Sequence, residues 1–420
     1  MDSFKIQKSG SLHGEVATSG AKNAVLPMMA ATLLADGISI IENVPGLKDV
    51  RTMSDVMRVL GARVDQNGST LTVDASQANY LEAPYELVKT MRASIYVMGP
   101  LLARHGEARV SLPGGCAWGP RPVDLHLKGM EALGASITVD HGYIVAKAEK
   151  LKGAVINFPI SSVGATANVL MAAVLAEGRS VLNNAAMEPE IDSLCEYLIG
   201  MGAKIEGVGS KSLVIEGVTS LNPGKGVTIP DRIEAGSYLV AGAITRGKVR
   251  VTKAEPKHLT AVLDSFKEMG FGVEIGDDWV EIDGENKVLK PVNVVTLPYP
   301  GFPTDMQAQF MVLLATIQGN SIIQDTIYPD RFTHLSELDR LGANLSLKDN
   351  TATILGGAKF SAAPVMASDL RASAALVLAG LVAEGTTEIS RIYHIDRGYE
   401  SFEEKLSSLG GKIERIKNFE

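Results

Sequence analysis

The fold is decided by the stretch Lys22-Asn23-Ala24-Val25-Leu26-Pro27-Met28-Met29-Ala30-Ala31-Thr32-Leu33-Leu34-Ala35-Asp36-Gly37, because the pattern that it starts occurs six times. Each copy has a polar start, a small apolar helix closed by a glycine, a short strand, and a second helix that ends in Leu-Gly or Met-Gly. The first helices close at Gly37, Gly106, Gly178, Gly247, Gly319 and Gly385. The second helices end at Gly61, Gly134, Gly202, Gly270, Gly342 and Gly410, which are 73, 68, 68, 72 and 68 residues apart. A fixed period of this size indicates one supersecondary unit repeated six times.

A hairpin is predicted after each second helix. Residues 204–206 and 212–216 alternate apolar and polar side chains on either side of Gly207-Val208-Gly209, and residues 273–275 and 279–282 do the same around Gly276-Asp277-Asp278. Alternation around a turn-rich centre is typical of a β-hairpin. Each unit is therefore predicted to run hairpin, strand, helix, strand, helix, which makes the chain an α/β protein.

The two ends of the chain are predicted to pair with each other. The last unit stops at residues 412–416, the first arm of a hairpin, while residues 4–7 have the pattern of the missing second arm and residues 14–18 that of the next strand. Six repeats divide into three plus three. We therefore expect a first domain of residues 22–229, a second domain of residues 1–21 plus 230–420, and a ligand site in the cleft between them.

Composition limits the classes of partner. Apolar residues make up 45% of the 420 residues, and the net charge of −8 makes nucleic acid or an acidic membrane surface an unexpected partner. Two cysteines exclude a disulfide framework. The N-terminus lacks the apolar core of a signal peptide, and the longest apolar run, 372–383, is too short to span a bilayer. We expect a cytoplasmic, soluble, monomeric protein.

Polar and charged residues recur at the starts of the first helices, where unpaired N–H groups favour anions. Aspartates at such positions have an alternative role as helix caps, and for Asp231 and Asp369 the two interpretations are evenly balanced. Cations oppose the helix dipole there, so bound anions are the better explanation for Lys22, Arg92 and Arg371. Five units have Lys22 and Asn23, Arg92, Asp231 and Arg232, Asp305, and Asp369 and Arg371 at this position, and the sixth has Val163 and Gly164.

One loop combines several reactive side chains. The segment Leu112-Pro113-Gly114-Gly115-Cys116-Ala117-Trp118-Gly119-Pro120-Arg121-Pro122-Val123-Asp124-Leu125-His126 is too rich in glycine and proline to be helical throughout. An exposed thiol flanked by Arg121 and His126 is predicted to be reactive. Cys195, on an apolar helix, is predicted to be an inert buried residue. Asp305 and Arg397 also have plain alternatives, as a cap and as a surface ion pair. The sequence contains no metal-ligand spacing and no phosphate-binding P-loop.

Taken together, ten segments along the whole chain resemble the enolpyruvyl transferases that act on UDP-N-acetylglucosamine in bacterial peptidoglycan synthesis. The segments are SGAKNA (19–24), KTMRAS (89–94), GGC (114–116), RPVDLH (121–126), SVGAT (162–166), EPEI (188–191), PDRIE (230–234), FPTDMQ (302–307), DLRAS (369–373) and HIDRG (394–398). The resemblance implies two domains, each a threefold repeat with helices inside and sheets outside. It implies transfer of the enolpyruvyl group of phosphoenolpyruvate by addition and elimination, with no metal or organic cofactor.

The resemblance also implies roles for individual residues. Cys116 would be the proton donor to phosphoenolpyruvate, Asp305 the candidate base, and Asp369 a neighbour of the reacting centre. The cations that would hold phosphoenolpyruvate are Lys22, Arg121 and Arg397, with Arg92 and Arg371 nearby. UDP-sugar recognition would fall to Asn23, Arg92, Arg121, Pro122, Val123, Asp124, Leu125, Ser162, Val163, Gly164, Asp305 and Ile327, with His126, Glu188 and Asp231 near the site. The glycines of the Cys116 loop would let it close over the substrates.

Two other functions remain as alternatives. One is the enolpyruvyl transferase of the shikimate pathway, whose Leu-Pro-Gly-Ser-Lys-Ser start and cysteine-free loop differ from this sequence. The other is a non-catalytic UDP-sugar sensor, although Cys116, Asp305, Lys22 and Arg397 are all retained. Turnover with shikimate-3-phosphate would identify the first, and UDP-sugar binding without turnover the second.

Overall fold

The computed structural model describes residues 2–89, 91–112 and 123–417. It divides the chain into two compact units, which we call the continuous unit (Gly20–Ile229) and the split unit (Met1–Ser19 with Pro230–Glu420). The first segment of the split unit contains strands β1 (Ser3–Gln7) and β2 (His13–Ala17).

The continuous unit alternates strands and helices in three repeats. Its strands are β3 (Ile38–Glu42), β4 (Arg63–Asn67), β5 (Thr70–Asp74), β6 (Glu82–Ala83), β7 (Glu107–Ser111), β8 (Ser136–Asp140), β9 (Tyr143–Lys147), β10 (Val155–Asn157), β11 (Arg179–Asn183), β12 (Lys204–Glu206), β13 (Ser212–Glu216) and β14 (Lys225–Val227). Its helices are α1 (Lys22–Ala31), α2 (Lys48–Val59), α3 (Tyr85–Val88), α4 (Met98–His105), α5 (Asp124–Ala132), α6 (Val163–Ala173) and α7 (Pro189–Gly200), with 3-10 helices at Thr32–Leu34 and Arg92–Val97.

The second segment of the split unit follows the same plan. Its strands are β15 (Lys248–Thr252), β16 (Gly272–Ile275), β17 (Trp279–Asp283), β18 (Val294–Thr296), β19 (Asn320–Asp325), β20 (Asn344–Lys348), β21 (Thr351–Leu355), β22 (Pro364–Met366), β23 (Thr386–Ser390) and β24 (Lys412–Ile416). Its helices are α8 (Arg232–Ile244), α9 (Thr260–Met269), α10 (Gln307–Ala315), α11 (Leu335–Arg340), α12 (Leu370–Val382) and α13 (Phe402–Ser408), with 3-10 helices at Pro256–Leu259, Thr304–Met306 and Ile392–Arg397.

Each repeat builds a four-stranded sheet of the same topology. The sheets of the continuous unit have the orders β14-β3-β5-β4, β6-β7-β9-β8 and β10-β11-β13-β12. Those of the split unit are β2-β15-β17-β16, β18-β19-β21-β20 and β22-β23-β1-β24. In every sheet the first two strands are parallel and the other neighbours antiparallel. The predicted order of hairpin, strand, helix, strand, helix is therefore confirmed.

The predicted pairing of the chain ends is also confirmed. Strand β1 pairs antiparallel with β24, with Ser3 opposite Ile416 and Gln7 opposite Lys412. Strand β2 then pairs in parallel with β15. Since Phe4 and Ile6 point into the core of the split unit while Lys5 and Gln7 are exposed, the side-chain alternation fixes this register.

The first helix of each repeat lies inside its unit. Every residue of α10 is buried, as are nearly all residues of α6 and α12. Helices that are apolar on all sides must be covered on all sides, whereas α2 buries only one face. Helices α1 and α4 pack on α6, and α8, α10 and α12 pack on one another. The predicted fold class, helices inside and sheets outside, is confirmed. None of the described helices is long and apolar enough to cross a membrane.

The repeated glycines are explained by backbone conformation. All six glycines that end the second helices have positive φ, between 94° and 106°. Five of the six closing glycines of the first helices also have positive φ; the exception is Gly247, where the preceding Arg246 takes the left-handed conformation instead. Residues with a Cβ are disfavoured there, so glycine recurs wherever a helix must end sharply before a strand.

A buried ion pair holds the end of the first segment of the split unit. The Glu234 carboxylate on α8 accepts hydrogen bonds from the Ser19 N–H (2.7 Å) and from Lys405 Nζ (2.7 Å), which also donates to Ser19 Oγ. Ser19 Oγ in turn donates to Glu400. The Glu234 side chain is 2% exposed, so burial raises its pKa although Lys405 opposes the shift. These contacts tie the first segment to helices α8 and α13.

Candidate functional site

A carboxylate held by two arginines is the most distinctive charged group of the split unit. Asp305 lies in the 3-10 helix just before α10. Its Oδ1 accepts a hydrogen bond from Arg331 Nη1 at 2.6 Å, and its Oδ2 accepts one from Arg371 Nη2 at 2.9 Å. The side chains of Arg331 and Arg371 are only 8% and 3% exposed. We call these three residues the carboxylate–arginine cluster.

The electrostatics of the cluster keep Asp305 ionised. Burial by itself would raise the pKa of Asp305, but the charges of Arg371 and Arg331 outweigh it and hold the pKa well below its usual range. The same pairing raises the pKa of Arg371 against the effect of burial. The cluster therefore carries one net positive charge and presents an ionised hydrogen-bond acceptor. The alternative that Asp305 is a simple helix cap is wrong, because its oxygens bind guanidinium groups.

The starts of the three inner helices of the split unit meet at this cluster. Arg371 belongs to the first turn of α12 and Asp305 precedes α10, while Gln309 of α10 donates a hydrogen bond to Ser237 of α8 at 3.2 Å. Asp231 caps α8 by accepting from the N–H groups of Ile233 and Glu234. Asp369 caps α12 by accepting from the N–H groups of Arg371 and Ala372. Both aspartates therefore have the capping role that the sequence left open.

Asp325, at the end of β19, organises the surroundings of the cluster. It is fully buried, and its Oδ1 accepts hydrogen bonds from Thr296 Oγ1 and from the N–H groups of Ile327 and Tyr328. Its Oδ2 accepts from Thr304 Oγ1 at 2.7 Å. Thr304 Oγ1 also receives a hydrogen bond from Arg331 Nη1. Asp325 thus connects the Ile327 loop to the residue that precedes Asp305.

We expect Asp325→Asn to destabilise the protein through Thr304, which precedes Asp305. The amide oxygen of the substituted side chain can keep the three Oδ1 contacts. Its NH₂ group, however, would face Thr304 Oγ1, which already accepts a hydrogen bond from Arg331, and the Thr304 hydroxyl would lose its own acceptor. The Thr304 hydroxyl is half-buried, so the loss of its acceptor should cost about 1 kcal/mol, the lower end of the range for buried groups. The free energy of unfolding in urea should fall by that amount, and Thr304→Val in the same background should restore part of it. Equal stability of Asp325→Asn and wild type would contradict this role.

In the continuous unit, the predicted cation Lys22 begins α1. Its Nζ lies 3.6 Å from Oδ2 of Asp49, which belongs to the first turn of α2 and is buried. Asn23 follows in the same turn of α1. Arg92 begins the 3-10 helix that leads into α4, so it stands at a helix start as predicted. Since Lys22 and Arg371 both contact protein carboxylates, bound anions are not required to explain cations at these two helix starts.

A second group of predicted residues surrounds the start of α6. Ser162 caps this helix by accepting a hydrogen bond from the N–H of Ala165, and Val163 and Gly164 form its first turn. The ring of His126, on α5, lies against Gly164. The other predicted residues of this unit are Val123, which precedes α5, Asp124 and Leu125, which begin it, and Glu188, which precedes α7.

Some predictions fall outside the described residues. Cys116, Arg121, Pro122 and the glycines of their loop belong to this group, so their roles stay predictions. Cys195 is confirmed as a buried cysteine, and burial raises its pKa to about 12, which makes its thiol inert. Arg397 ends the 3-10 helix Ile392–Arg397, where the sequence had predicted a loop.

Potential metal ligands are scattered in the part of the chain that the structure describes. Within residues 2–89, 91–112 and 123–417, no three His, Cys, Asp or Glu side chains are grouped so that they could hold a metal ion.

Sequence reasoning missed Arg331, Asp325 and Asn168. Asn168 left a signal that could have been used: it is an amide in the helix VGATANVLMAA, which is otherwise small and apolar. A polar group on such a helix must be buried and hydrogen-bonded. Asp325 ends the apolar strand NSIIQD, and the same argument applies to it. The partnership of Arg331 with Asp305 left no local signal.

Comparison with known proteins identifies the family. A family model described as EPSP synthase (3-phosphoshikimate 1-carboxyvinyltransferase) matches residues 6–406. The chain belongs to this family. The enolpyruvyl transferase NikO from Streptomyces tendae has a crystal structure that superposes with a TM-score of 0.90 at 26% identity, over 100% of this chain and 99% of that one. The resemblance to enolpyruvyl transferases found in the sequence is confirmed.

Relatives within the family carry a more specific name. A protein of Shewanella halifaxensis, 54% identical over 420 residues and covered completely in both chains, is named UDP-N-acetylglucosamine 1-carboxyvinyltransferase. A protein of Acinetobacter baylyi with the same name is 55% identical over 417 residues, which are 99% of this chain and 100% of that one. This EPSP synthase family member is therefore similar over its whole length to enzymes with that name.

Proposed function

We propose that the chain transfers the enolpyruvyl group of phosphoenolpyruvate to the 3′-hydroxyl of UDP-N-acetylglucosamine and releases phosphate, the first committed step of peptidoglycan synthesis. The observation that carries this proposal is identity of 53–55% along the whole chain to enzymes named for that reaction. The shikimate-pathway alternative has no comparable support. The sensor alternative would require that the chain has lost its catalytic activity. The charged residues of the proposed site are retained, which argues against that loss.

Phosphoenolpyruvate is held by clustered cations in this proposal. Its phosphate and carboxylate both favour guanidinium and ammonium donors. Lys22, Arg121 and Arg397 supply these donors, with Arg92 and Arg371 nearby. The hydrogen bond from Arg371 to Asp305 supports the proposal, because it helps to fix the direction of the guanidinium group.

The chemistry needs an acid and an acceptor for the hydroxyl proton. Cys116 donates a proton to C3 of phosphoenolpyruvate while the sugar 3′-oxygen bonds to C2, which gives a tetrahedral intermediate. A thiol with an ordinary pKa of about 8.5 is protonated at neutral pH, as an acid must be. Loss of a C3 proton and of phosphate then restores the double bond. Asp369 lies beside the reacting centre in this scheme.

Asp305 accepts the proton of the 3′-hydroxyl in this proposal. Its ionised state supports this role, since it can always accept a hydrogen bond from the hydroxyl. Its two arginine partners make Asp305 a weak base in the free enzyme. The sugar 3′-hydroxyl therefore transfers its proton to Asp305 only as the 3′-oxygen forms the bond to C2 of phosphoenolpyruvate.

The proposal keeps for the UDP-sugar the residues that the family resemblance implies. The residues are Asn23, Arg92, Arg121, Pro122, Val123, Asp124, Leu125, Ser162, Val163, Gly164, Asp305 and Ile327, with His126, Glu188 and Asp231 near the site. The unpaired N–H groups at the start of α6 support diphosphate binding there. We also propose that the enzyme is a cytoplasmic monomer that binds no nucleic acid and needs no cofactor.

Phosphate release tests the proposed function directly. We expect release from phosphoenolpyruvate only when UDP-N-acetylglucosamine is present, undiminished in EDTA, and at least about 100-fold slower in Cys116→Ala, because a positioned acid contributes about 10²–10⁴-fold. Cys195→Ala is the matched control, since that thiol is buried and should leave the rate unchanged.

Three outcomes would contradict the proposed function. Release with shikimate-3-phosphate in place of the UDP-sugar would identify the shikimate enzyme. UDP-sugar binding without release would identify the sensor. Loss of activity in EDTA would overturn the metal-free mechanism.

A further inference from the structure

One fully buried side chain determines how His126 faces the start of α6. Asn168, on α6, has no exposed surface. Its Oδ1 accepts a hydrogen bond from the N–H of Gly99 at 2.8 Å, and its Nδ2 donates to the carbonyl of Ile95 at 2.9 Å. The second proton of Nδ2 is directed at Nδ1 of His126, 3.1 Å away. Each donor and acceptor of the amide therefore has a partner.

These contacts fix the orientation of the Asn168 amide. The N–H of Gly99 can only donate and the carbonyl of Ile95 can only accept, so the oxygen must face Gly99 and the nitrogen must face Ile95. The helices are close enough for this because residue 99 is glycine: a Cβ there would lie 2.6 Å from Asn168 Oδ1. The amide cannot flip without leaving two buried backbone groups unpaired.

The fixed amide selects one tautomer of His126. Because Asn168 Nδ2 donates, Nδ1 of His126 must accept and carries no proton. His126 is 8% exposed, and burial, with a contribution from the charge of Arg92, lowers its pKa to about 4. The ring is therefore neutral at physiological pH, and its single proton lies on Nε2.

The Cε1–Nε2 edge of the His126 ring lies against the first turn of α6. A Cβ built on Gly164 would lie 3.2 Å from Nε2, so the ring edge sits directly over the backbone of that turn. Among the described residues, the hydrogen bond of the His126 ring is the one at Nδ1, and Nε2 makes none. The first turn of α6 leaves the N–H groups of Val163 and Gly164 without intrahelical partners. Nε2–H therefore lies beside the free N–H groups at the start of α6, a place where a helix start favours a phosphate oxygen.

We propose that Asn168 is a positioning residue that locks His126 in the Nε2–H tautomer, and that this N–H donates to a phosphate oxygen of the UDP group bound at the start of α6. The contact with phosphate rests on the proposed function. The opposite tautomer would present a lone pair to the phosphate and would repel it. Asn168 itself touches no substrate and acts through the ring.

Nitrogen NMR of the protein labelled with ¹⁵N-histidine tests the lock without any substitution. The chain has seven histidines, and His126→Gln identifies the His126 signals by their loss. We expect Nδ1 of His126 to be unprotonated and Nε2 to be protonated at pH 7.5. In Asn168→Asp a carboxylate faces Nδ1, and Nδ1 should then carry a proton. A protonated Nδ1 in the wild type, or an unprotonated Nδ1 in folded Asn168→Asp, would overturn the lock.

Binding of UDP tests the phosphate contact. We expect UDP to shift the Nε2 resonance, and His126→Leu to weaken UDP binding in calorimetry by about 10- to 100-fold, as expected for a lost hydrogen bond to a charged group. His126→Gln, whose amide N–H can replace Nε2–H, should recover most of the affinity, and His141→Leu, an exposed histidine of the same unit, should leave it unchanged.

The outcomes separate the inference from the proposed function. UDP that binds in calorimetry without shifting the Nε2 resonance would overturn the phosphate contact alone. Equal affinities of His126→Leu and wild type would do the same. Absence of any UDP binding by the wild type would contradict the proposed function, and the phosphate contact with it.

Discussion

Asp305→Asn is expected to reduce turnover by about 10³-fold, because a positioned base contributes about 10²–10⁴-fold to a proton transfer. The amide has nearly the same shape but neither accepts the proton nor neutralises Arg331 and Arg371. The net positive charge of the carboxylate–arginine cluster rises from one to two. KM for the anionic phosphoenolpyruvate should therefore stay constant or fall while kcat collapses. Steady-state kinetics of phosphate release measures both.

The exposed Asp330→Asn, on the same loop as Arg331, is the control for this substitution and should behave as wild type. Turnover of Asp305→Asn within tenfold of wild type would eliminate Asp305 as the acceptor of the hydroxyl proton. A tenfold rise in KM for phosphoenolpyruvate would contradict the charge argument, since it would mean that the cluster does not act on the anion.

The pH profile offers a second test of the same residue. A base must be ionised, and the two arginines hold the pKa of Asp305 well below its usual range, so its ionised form persists in mild acid. Protonation of Asp305 should therefore cause no loss of kcat/KM between pH 8 and pH 5. Arg331→Met removes one of the two charges and should move the acid limb of the profile to higher pH.

Lys405→Met is expected to have the largest effect on stability, a loss of about 3–5 kcal/mol in the free energy of unfolding at pH 8. Removing one partner of a buried ion pair leaves the other charge uncompensated, and losses of this size are typical. Glu234 would keep the hydrogen bond from the Ser19 N–H but would lose its cation. The matched control is Lys412→Met, an exposed lysine on β24.

The loss of unfolding free energy in Lys405→Met should be larger at high pH than at low pH. Burial already raises the pKa of Glu234 above its value in the unfolded chain, and removal of Lys405 raises it further. The folded state then binds the proton more tightly than the unfolded state, so stability falls as pH rises from the unfolded pKa through the folded one. The deficit of Lys405→Met relative to wild type should therefore be smaller at pH 5 than at pH 8.

Urea unfolding at the two pH values measures this deficit. The chain has two tryptophans, so in a Trp118→Phe background the fluorescence of Trp279 on β17 reports on the split unit. The double variant Glu234→Gln/Lys405→Met replaces the pair by neutral groups and should recover most of the loss. A deficit below 1 kcal/mol at pH 8, or one that is equal at both pH values, would contradict a role for this ion pair.

The sequence by itself determined the repeat architecture. Helix and strand periodicity, the left-handed glycines at helix ends and the alternation in the terminal strands are local properties, each encoded within about 15 residues. They predicted the order of elements and the pairing of β1 with β24, while the family resemblance implied that the helices lie inside. The family motifs added the enolpyruvyl transferase identity, and the polar positions at the helix starts pointed to Asp231, Asp305 and Asp369.

Only the tertiary structure decided which side chains meet. Asp305 is held by Arg331 and Arg371, and Asn168 by Gly99, Ile95 and His126, which come from separate elements. The physical reason is that a buried charge or amide is stabilised by whichever partners the packed helices bring within 3 Å of it, and no local pattern encodes that choice. The tertiary structure thus gave Asp305 its two arginines and His126 its tautomer.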